Sequence, residues 1–203
     1  VVVASAAVWE PNWHHAGMVT ERMAKSVRTR NPIAASWRDL EARLEAIAPA
    51  GSRVAILRPV PTLDSGGADG WSRLFSRRSV TLVAGHDPPL QLLSVEELAR
   101  AIVLTLDRRL AGTFHVAPED AWPIRALLRH AGVRPLGVPW TWRKLARAIG
   151  SRLNLTAPAA ELEYLRYAWT VSGEAFRDRT GFQAAGTLET ARRFAGSRPR
   201  GMA

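Results

Sequence analysis

Cysteine is missing from all 203 residues, which excludes disulfides, thiolate metal sites and cysteine nucleophiles. A chain without thiols suits a reducing compartment, and a cytoplasmic location is expected. No apolar run approaches the ~18–20 residues a spanning helix needs, so no transmembrane segment is expected. Val1–Val8 is apolar but has no basic n-region before it, and it does not read as a signal peptide. Lysine and tyrosine are scarce: among 28 basic residues only Lys25 and Lys144 are lysine, and the only tyrosines are Tyr164 and Tyr167. There is no Gly-x-Ser-x-Gly elbow, so Ser5 with a distant His and Asp does not read as a hydrolase triad.

What remains is a globular composition, 47% hydrophobic and 23% charged, long enough for one core or one domain with a small lobe. The chain does not begin with methionine and its first residue already has strand character. We expect it to be the C-terminal part of a longer polypeptide. The formal charge is +10, with clusters at Arg22/Lys25/Arg28/Arg30, Arg73/Arg77/Arg78, Arg143/Lys144/Arg147/Arg152 and Arg192/Arg193/Arg198/Arg200. Such a field attracts phosphates, nucleic acid or an anionic membrane face. No helix-turn-helix, zinc or stacking-platform pattern accompanies it, so a solvated surface without a nucleic-acid partner is the expected reading. Trp140 and Trp142 beside Arg143, Lys144 and Arg147 would suit a membrane surface, although a helix packed on the rest of the protein is favoured.

Val1–Val8 reads as a fully buried parallel strand, because continuous Val and Ala without alternation fits a sheet covered on both faces. Glu10–Pro32 reads as a surface loop. Ser36-Trp37-Arg38-Asp39 reads as a helix start, with Trp37, Leu40, Leu44 and Ile47 as its packed face and Pro49-Ala50-Gly51 as its end. Arg53–Val60 is a second strand, completing a βαβ unit. Pro61–Gly70 is a loop at the strand's C-terminal end, where α/β sheets bind ligands.

A smaller lobe follows. Val80–Ala84 and Leu90–Leu93 flank a turn at Gly85-His86-Asp87-Pro88-Pro89. Ser94-Val95-Glu96-Glu97 is a capping box opening a helix with Leu98, Ile102 and Leu106 on one face. Thr113–Ala117 is a strand, Ile124–Ala131 a helix closed by Gly132, and Thr141–Leu153 a basic amphipathic helix. Pro158–Tyr167, Ser172–Thr180 and Leu188–Phe194 are further helices. The fold class is therefore α/β: a partial Rossmann-like parallel sheet with a small C-terminal substrate-binding lobe. The expected division is 1–75 for the sheet domain, 76–195 for the lobe, interleaved with the sheet, and 196–203 for a disordered tail.

This succession resembles the C-terminal half of the extended short-chain dehydrogenase/reductases, the NAD-dependent epimerase/dehydratase family. The resemblance rests on Val3-Ala4-Ser5-Ala6-Ala7-Val8-Trp9, on Leu57-Arg58-Pro59, on Pro88 through Ala99, on Gly112-Thr113-Phe114-His115-Val116-Ala117, and on Tyr164-Leu165-Arg166 with Arg177 through Phe182. It implies oxidoreductase or isomerase chemistry with NAD or NADP, a small-molecule substrate and a possible homodimer. It also implies that backbone at Pro59 and Val60 lies against the nicotinamide end of the cofactor.

The family's chemistry uses a tyrosine as acid/base and a lysine four residues later, one helical turn apart, whose charge favours the phenolate. A serine orients the substrate oxygen, and Ser5 matches it. Anchored on Glu41, the tyrosine position falls at Ile33 and the lysine position at Trp37; no Tyr-x-x-x-Lys occurs anywhere in the chain. The family's Gly-x-x-Gly-x-x-Gly phosphate cradle is absent as well, since Gly66-Gly67 and Gly70 follow the wrong strand. Catalysis is therefore expected to be impaired, with a non-catalytic dinucleotide-binding or protein-interaction module as the alternative. The arginine that grips a nucleotide-sugar diphosphate in many members would align at Leu90, and the asparagine after the Leu-Arg-Pro strand near Pro61. Both departures argue against a nucleotide sugar.

No metal site is expected. His14-His15 are adjacent, not at ligating spacing. His86-Asp87 reads as part of a turn, and His115 as a hydrogen-bonded interior group.

Overall fold

The computed structural model describes residues 1–14, 17–23, 29–47, 49, 51–66, 69–139 and 163–197. The first strand, β1 (Val2–Val3), and the second, β2 (Ala55–Pro59), pair in parallel, with Val2 opposite Ile56. On the other side of β2 lies a later parallel strand, Gly112–Val116, with Arg58 opposite His115. All five residues of β2 are buried, as a central parallel strand covered on both faces should be.

Val1–Val8 is not one buried strand. Ser5 has extended backbone (φ −152°, ψ 145°) and its hydroxyl accepts from Ala7 N, starting a short 3-10 turn over Ala6–Val8. A serine that offers the backbone a local partner ends the ladder there. β1 stands at the edge of this sheet, and Val1 and Val3 are exposed.

The crossover helix α1 spans Pro32–Ile47 and begins before Ser36. Asn31 Oδ1 accepts from Ile33 N at 2.9 Å and Ala34 N at 3.3 Å, an N-cap with proline at the first helical position, where its missing N–H costs nothing. Ser36 lies inside the helix and donates its hydroxyl proton to Pro32 O. The buried face is Ala34 and Glu41, with Ile33 and Trp37 half-buried against the core. Leu40 and Ile47 are exposed, contrary to expectation. The contact stripe is narrow because α1 packs chiefly on the three-residue turn after Ser5.

Beyond β2 the chain adds β3 (Thr62–Leu63), α2 (Gly70–Phe75), β4 (Ser79–Val83), β5 (Pro89–Leu90), β6 (Leu93–Ser94), α3 (Val95–Asp107), β7 (Gly112–Val116, the third sheet strand), β8 (Trp122–Pro123), α4 (Ile124–His130), β9 (Arg134–Val138), α5 (Glu174–Thr180) and α6 (Thr187–Ser197). Ser94 and Glu97 form the expected capping box. The buried face of α3 is Glu97, Ala101 and Thr105, and Leu106 is exposed. β4 pairs in parallel with β9, not with the Leu90–Leu93 segment. β5 pairs antiparallel with β8, and β3 in parallel with β6.

Gly181 closes α5 at φ +73°, a left-handed position that suits glycine. Gly196 and Ser197 belong to α6, so the helix reaches into the stretch expected to be a tail; residues 198–203 lie outside the described residues. So do the expected helix over 141–153 and the first part of the one over 158–167. The Glu10–Pro32 segment is not wholly superficial: Val19 is buried and bridges Val171.

One hydrophobic core joins sheet and lobe, with Leu57, Phe75, Leu82, Leu92, Leu127 and Phe176 at its centre. Gln91 is the polar clasp within it. Its Nε2 donates to Pro118 O (2.8 Å) and Val171 O (3.0 Å), and its Oε1 accepts from Val171 N (2.9 Å).

Candidate functional site

The expected site residues gather around the C-terminal ends of β1 and β2. Ser5 caps the turn after β1 with its Oγ 3.1 Å from Ala7 N. α1 lies on that turn, held by Arg38 Nε donating to Val8 O at 3.0 Å. Ile33 and Trp37 follow one another one turn apart on α1 and are half-buried. Pro59 ends β2, and Val60 continues it, its N–H donating to Val116 O at 3.1 Å. Pro59 and Val60 are both buried.

The helix is registered on the sheet by a buried ion pair. Arg58 Nε and Nη2 each donate at 2.6 Å to the Glu41 carboxylate, with both side chains about 5% exposed or less. Bidentate guanidinium–carboxylate geometry fixes orientation as well as distance. One residue along the sheet, His115 Nε2 accepts from Trp9 Nε1 at 2.9 Å. That bond puts the imidazole proton on Nδ1, which is buried without a hydrogen-bond partner. Glu21 accepts from His115 N at 2.6 Å. Burial and, secondarily, the Arg58 charge push the His115 pKa down to about 3, so the ring stays neutral.

The tyrosine brought to the Ser5 turn is Tyr164. Its hydroxyl donates to Ala7 O at 2.6 Å, and Trp169 Nε1 donates to Tyr164 O at 3.1 Å. Burial raises its pKa well above that of a free phenol. A phenol already donating, with its ionisation made harder, is no acid/base for neutral pH. Tyr167 stacks edge-on with His86, and Asp87 Oδ1 accepts from Arg125 N, so the His86–Asp87 turn is structural.

Val60, Pro61, Pro89, Leu90, Gln91, Trp169 and Thr170 line a crevice too tight for a water molecule. Two wider clefts lie elsewhere. One, of about 610 Å³, is bordered by Ser65, Ser94, Arg100, Thr190 and Arg193. The other, of about 440 Å³, is bordered by Glu119, Asp120, Arg177 and Gly186. Neither includes Ser5, Ile33, Trp37, Pro59 or Val60. Among the described residues no group of three or more metal-ligating side chains occurs, and no helix is long and apolar enough to cross a membrane.

Among the described residues, the glycine turn at Gly66 does not suit the pyrophosphate of a dinucleotide. At Gly66 the backbone N–H already donates to Asp64 Oδ1 at 3.0 Å, and an added Cβ would stand 3.0 Å from Asp64 Oδ2. A carboxylate in that turn repels a diphosphate.

No family model and no curated protein matches the chain in sequence. Solved structures match it in fold. RMD of Pseudomonas aeruginosa, solved with NADPH, gives a TM-score of 0.65 at 18% identity, over 96% of this chain and 64% of its own. A short-chain dehydrogenase/reductase superfamily protein from Agrobacterium tumefaciens with bound NAD gives 0.64 at 16%, over 96% and 65%. The UDP-glucose 4-epimerase of Thermotoga maritima with UDP-glucose gives 0.68 at 12%, over 96% and 61%. The chain thus spans 61–65% of the length of these structures. The parallel sheet, its crossover helix and the attached lobe define an α/β protein of Rossmann type. More narrowly, this is the fold of the short-chain dehydrogenase/reductases and NAD-dependent epimerases, along 96% of the chain.

The sequence marks His115 as an interior polar group but not its partners Trp9 and Glu21, and it points to neither the Glu41–Arg58 pair nor the Gln91 clasp. An Arg inside an otherwise apolar strand, at position 58, and a His at position 115 are the signals of buried partners that it does hold.

Proposed function

We propose that the protein is an NAD(P)-dependent epimerase/dehydratase or reductase relative whose proton-transfer pair has been lost. Residues 1–75 contribute the C-terminal part of the dinucleotide-binding sheet, and 76–195 a lobe for a small-molecule substrate, interleaved with the sheet, whose third strand is β7. Ser5 retains the substrate-orienting hydroxyl. Pro59 and Val60 offer backbone to the nicotinamide, which when bound supplies hydride transfer. Ile33 and Trp37 occupy the tyrosine and lysine positions, and neither side chain can move a proton.

One observation carries this reading: the buried Glu41–Arg58 pair ties α1 to β2, supporting the register that puts Ile33 and Trp37 there. Leu90 in the crevice and Pro61 after β2 speak against a nucleotide sugar. Leu40 and Ile47, apolar and exposed on α1, favour the second reading, a scaffold used for association, including with its own copy.

The test is NADH and NADPH binding to the intact protein by fluorescence, with Ile33→Tyr/Trp37→Lys alongside. Binding without turnover, and turnover raised at least ~10²-fold in the double variant, is expected from the usual worth of a positioned acid/base. Absence of binding in both forms would overturn the dinucleotide reading.

A further inference from the structure

The net charge of this protein falls in two stretches of its sequence. Residues 70–86 and 121–160 contain no Asp or Glu, and their ten basic residues equal the net charge of +10, leaving the rest of the chain balanced. The described part of those stretches forms α2, β4, β8, α4 and β9, with β4 and α4 both packed on β9. The parallel β4–β9 pairing sets Ser79 opposite Arg134, and Arg134 N donates to Arg78 O at 3.0 Å. Arg77 and Arg78 precede β4, Arg73 lies in the last turn of α2, and Arg129 and His130 end α4 just before β9. Topology therefore brings six basic residues to the N-terminal end of this strand pair.

Among the described residues nothing neutralises these cations. No described ion pair or side-chain hydrogen bond involves Arg73, Arg77, Arg78, Arg129 or Arg134. Arg125, by contrast, turns to the other end, where it donates to Val83 O and His86 O. Arg77 is half-buried, its Nη1 without a hydrogen-bond partner among the described residues. Leu136 is exposed on β9, two residues from Arg134 and so on the same side of the strand. An exposed apolar side chain on the same strand face as Arg134 matches a headgroup layer over acyl chains better than a polynucleotide, for which the patch offers no described aromatic stacking surface.

We propose that this end of the β4–β9 lobe docks on an anionic phospholipid surface. The arginines pair with headgroup phosphates and Leu136 enters the interface. Basic residues near such a surface each strengthen binding roughly fivefold, and the attraction fades within a Debye length.

The test is co-sedimentation of the chain with vesicles of phosphatidylcholine containing about one third phosphatidylglycerol, against pure phosphatidylcholine. Binding to the anionic vesicles alone is expected, lost as salt rises from about 0.05 to about 0.5 M. Arg78→Glu/Arg134→Glu should weaken it at least tenfold, and the milder Arg78→Gln/Arg134→Gln by a smaller factor. Arg53→Glu/Arg108→Glu, the same charge change on exposed residues outside the β4–β9 strand pair and its flanking helices, should leave it within about twofold. Equal losses in both charge-reversed pairs, no binding to anionic vesicles, or a duplex oligonucleotide bound in preference to vesicles would each overturn the proposal.

Discussion

Glu41 and Arg58 hold each other inside the protein, and neither is tolerable there alone. Glu41→Gln leaves a buried guanidinium facing a neutral amide, and a loss of about 3–5 kcal/mol in urea unfolding is expected. His115 works differently. Its folded pKa lies below its unfolded one, so the unfolded chain takes up a proton that the native ring refuses. Stability is therefore full above about pH 6.5 and falls as pH drops toward the folded value of about 3. The slope from this group approaches ~1.4 kcal/mol per pH unit in that window. His115→Asn should flatten the fall between about pH 6 and pH 4 relative to the parent, read as the difference of two urea midpoints. The sequence marked His115 as an interior polar residue because it interrupts an apolar strand. It gave no sign of Trp9 or Glu21 as its neighbours, since those contacts join residues about a hundred positions apart.

Elements were legible where their signals are local. Ser94 and Glu97 lie three residues apart and cap each other as the sequence implied. Ser94→Ala should cost about 1 kcal/mol, measured by chemical unfolding. Ser36 and Asp39 show a similar pattern but sit inside α1, because Asn31 and Pro32 supply a cap and a start one turn earlier. Capping residues define a start only where the preceding turn is not already helical. Gly173 illustrates a constraint that no pattern reveals. Its φ of −89° suits any residue, yet a Cβ there would stand 2.6 Å from the Ala117 carbonyl oxygen. Gly173→Ala should lower the melting temperature by several degrees, as overpacking against backbone costs ~1–3 kcal/mol.

At the scale of the molecule, the parallel sheet and the attached lobe were readable from the alternation of apolar runs and capped helices. The pairing of β4 with β9 was not, because both strands are short and the segment between them contains other candidates. The packed face of α1 was also misjudged: periodicity locates an apolar stripe but not how much of it another surface covers. Among the described residues β1 has no neighbour on its outer side, where Val1 and Val3 are exposed, and in the 203-residue chain such an apolar edge invites pairing between copies. Val3→Lys should reduce light scattering of concentrated protein with little change in melting temperature.

The Gln91 clasp has a consequence in time. Its amide bonds to Pro118 and Val171, 27 and 80 residues further along, so the centre of the core stays open until Val171 has been made. Nascent chains halted between Pro118 and Val171 should leave the segment around Gln91 open to protease, and those carried past Val171 should protect it.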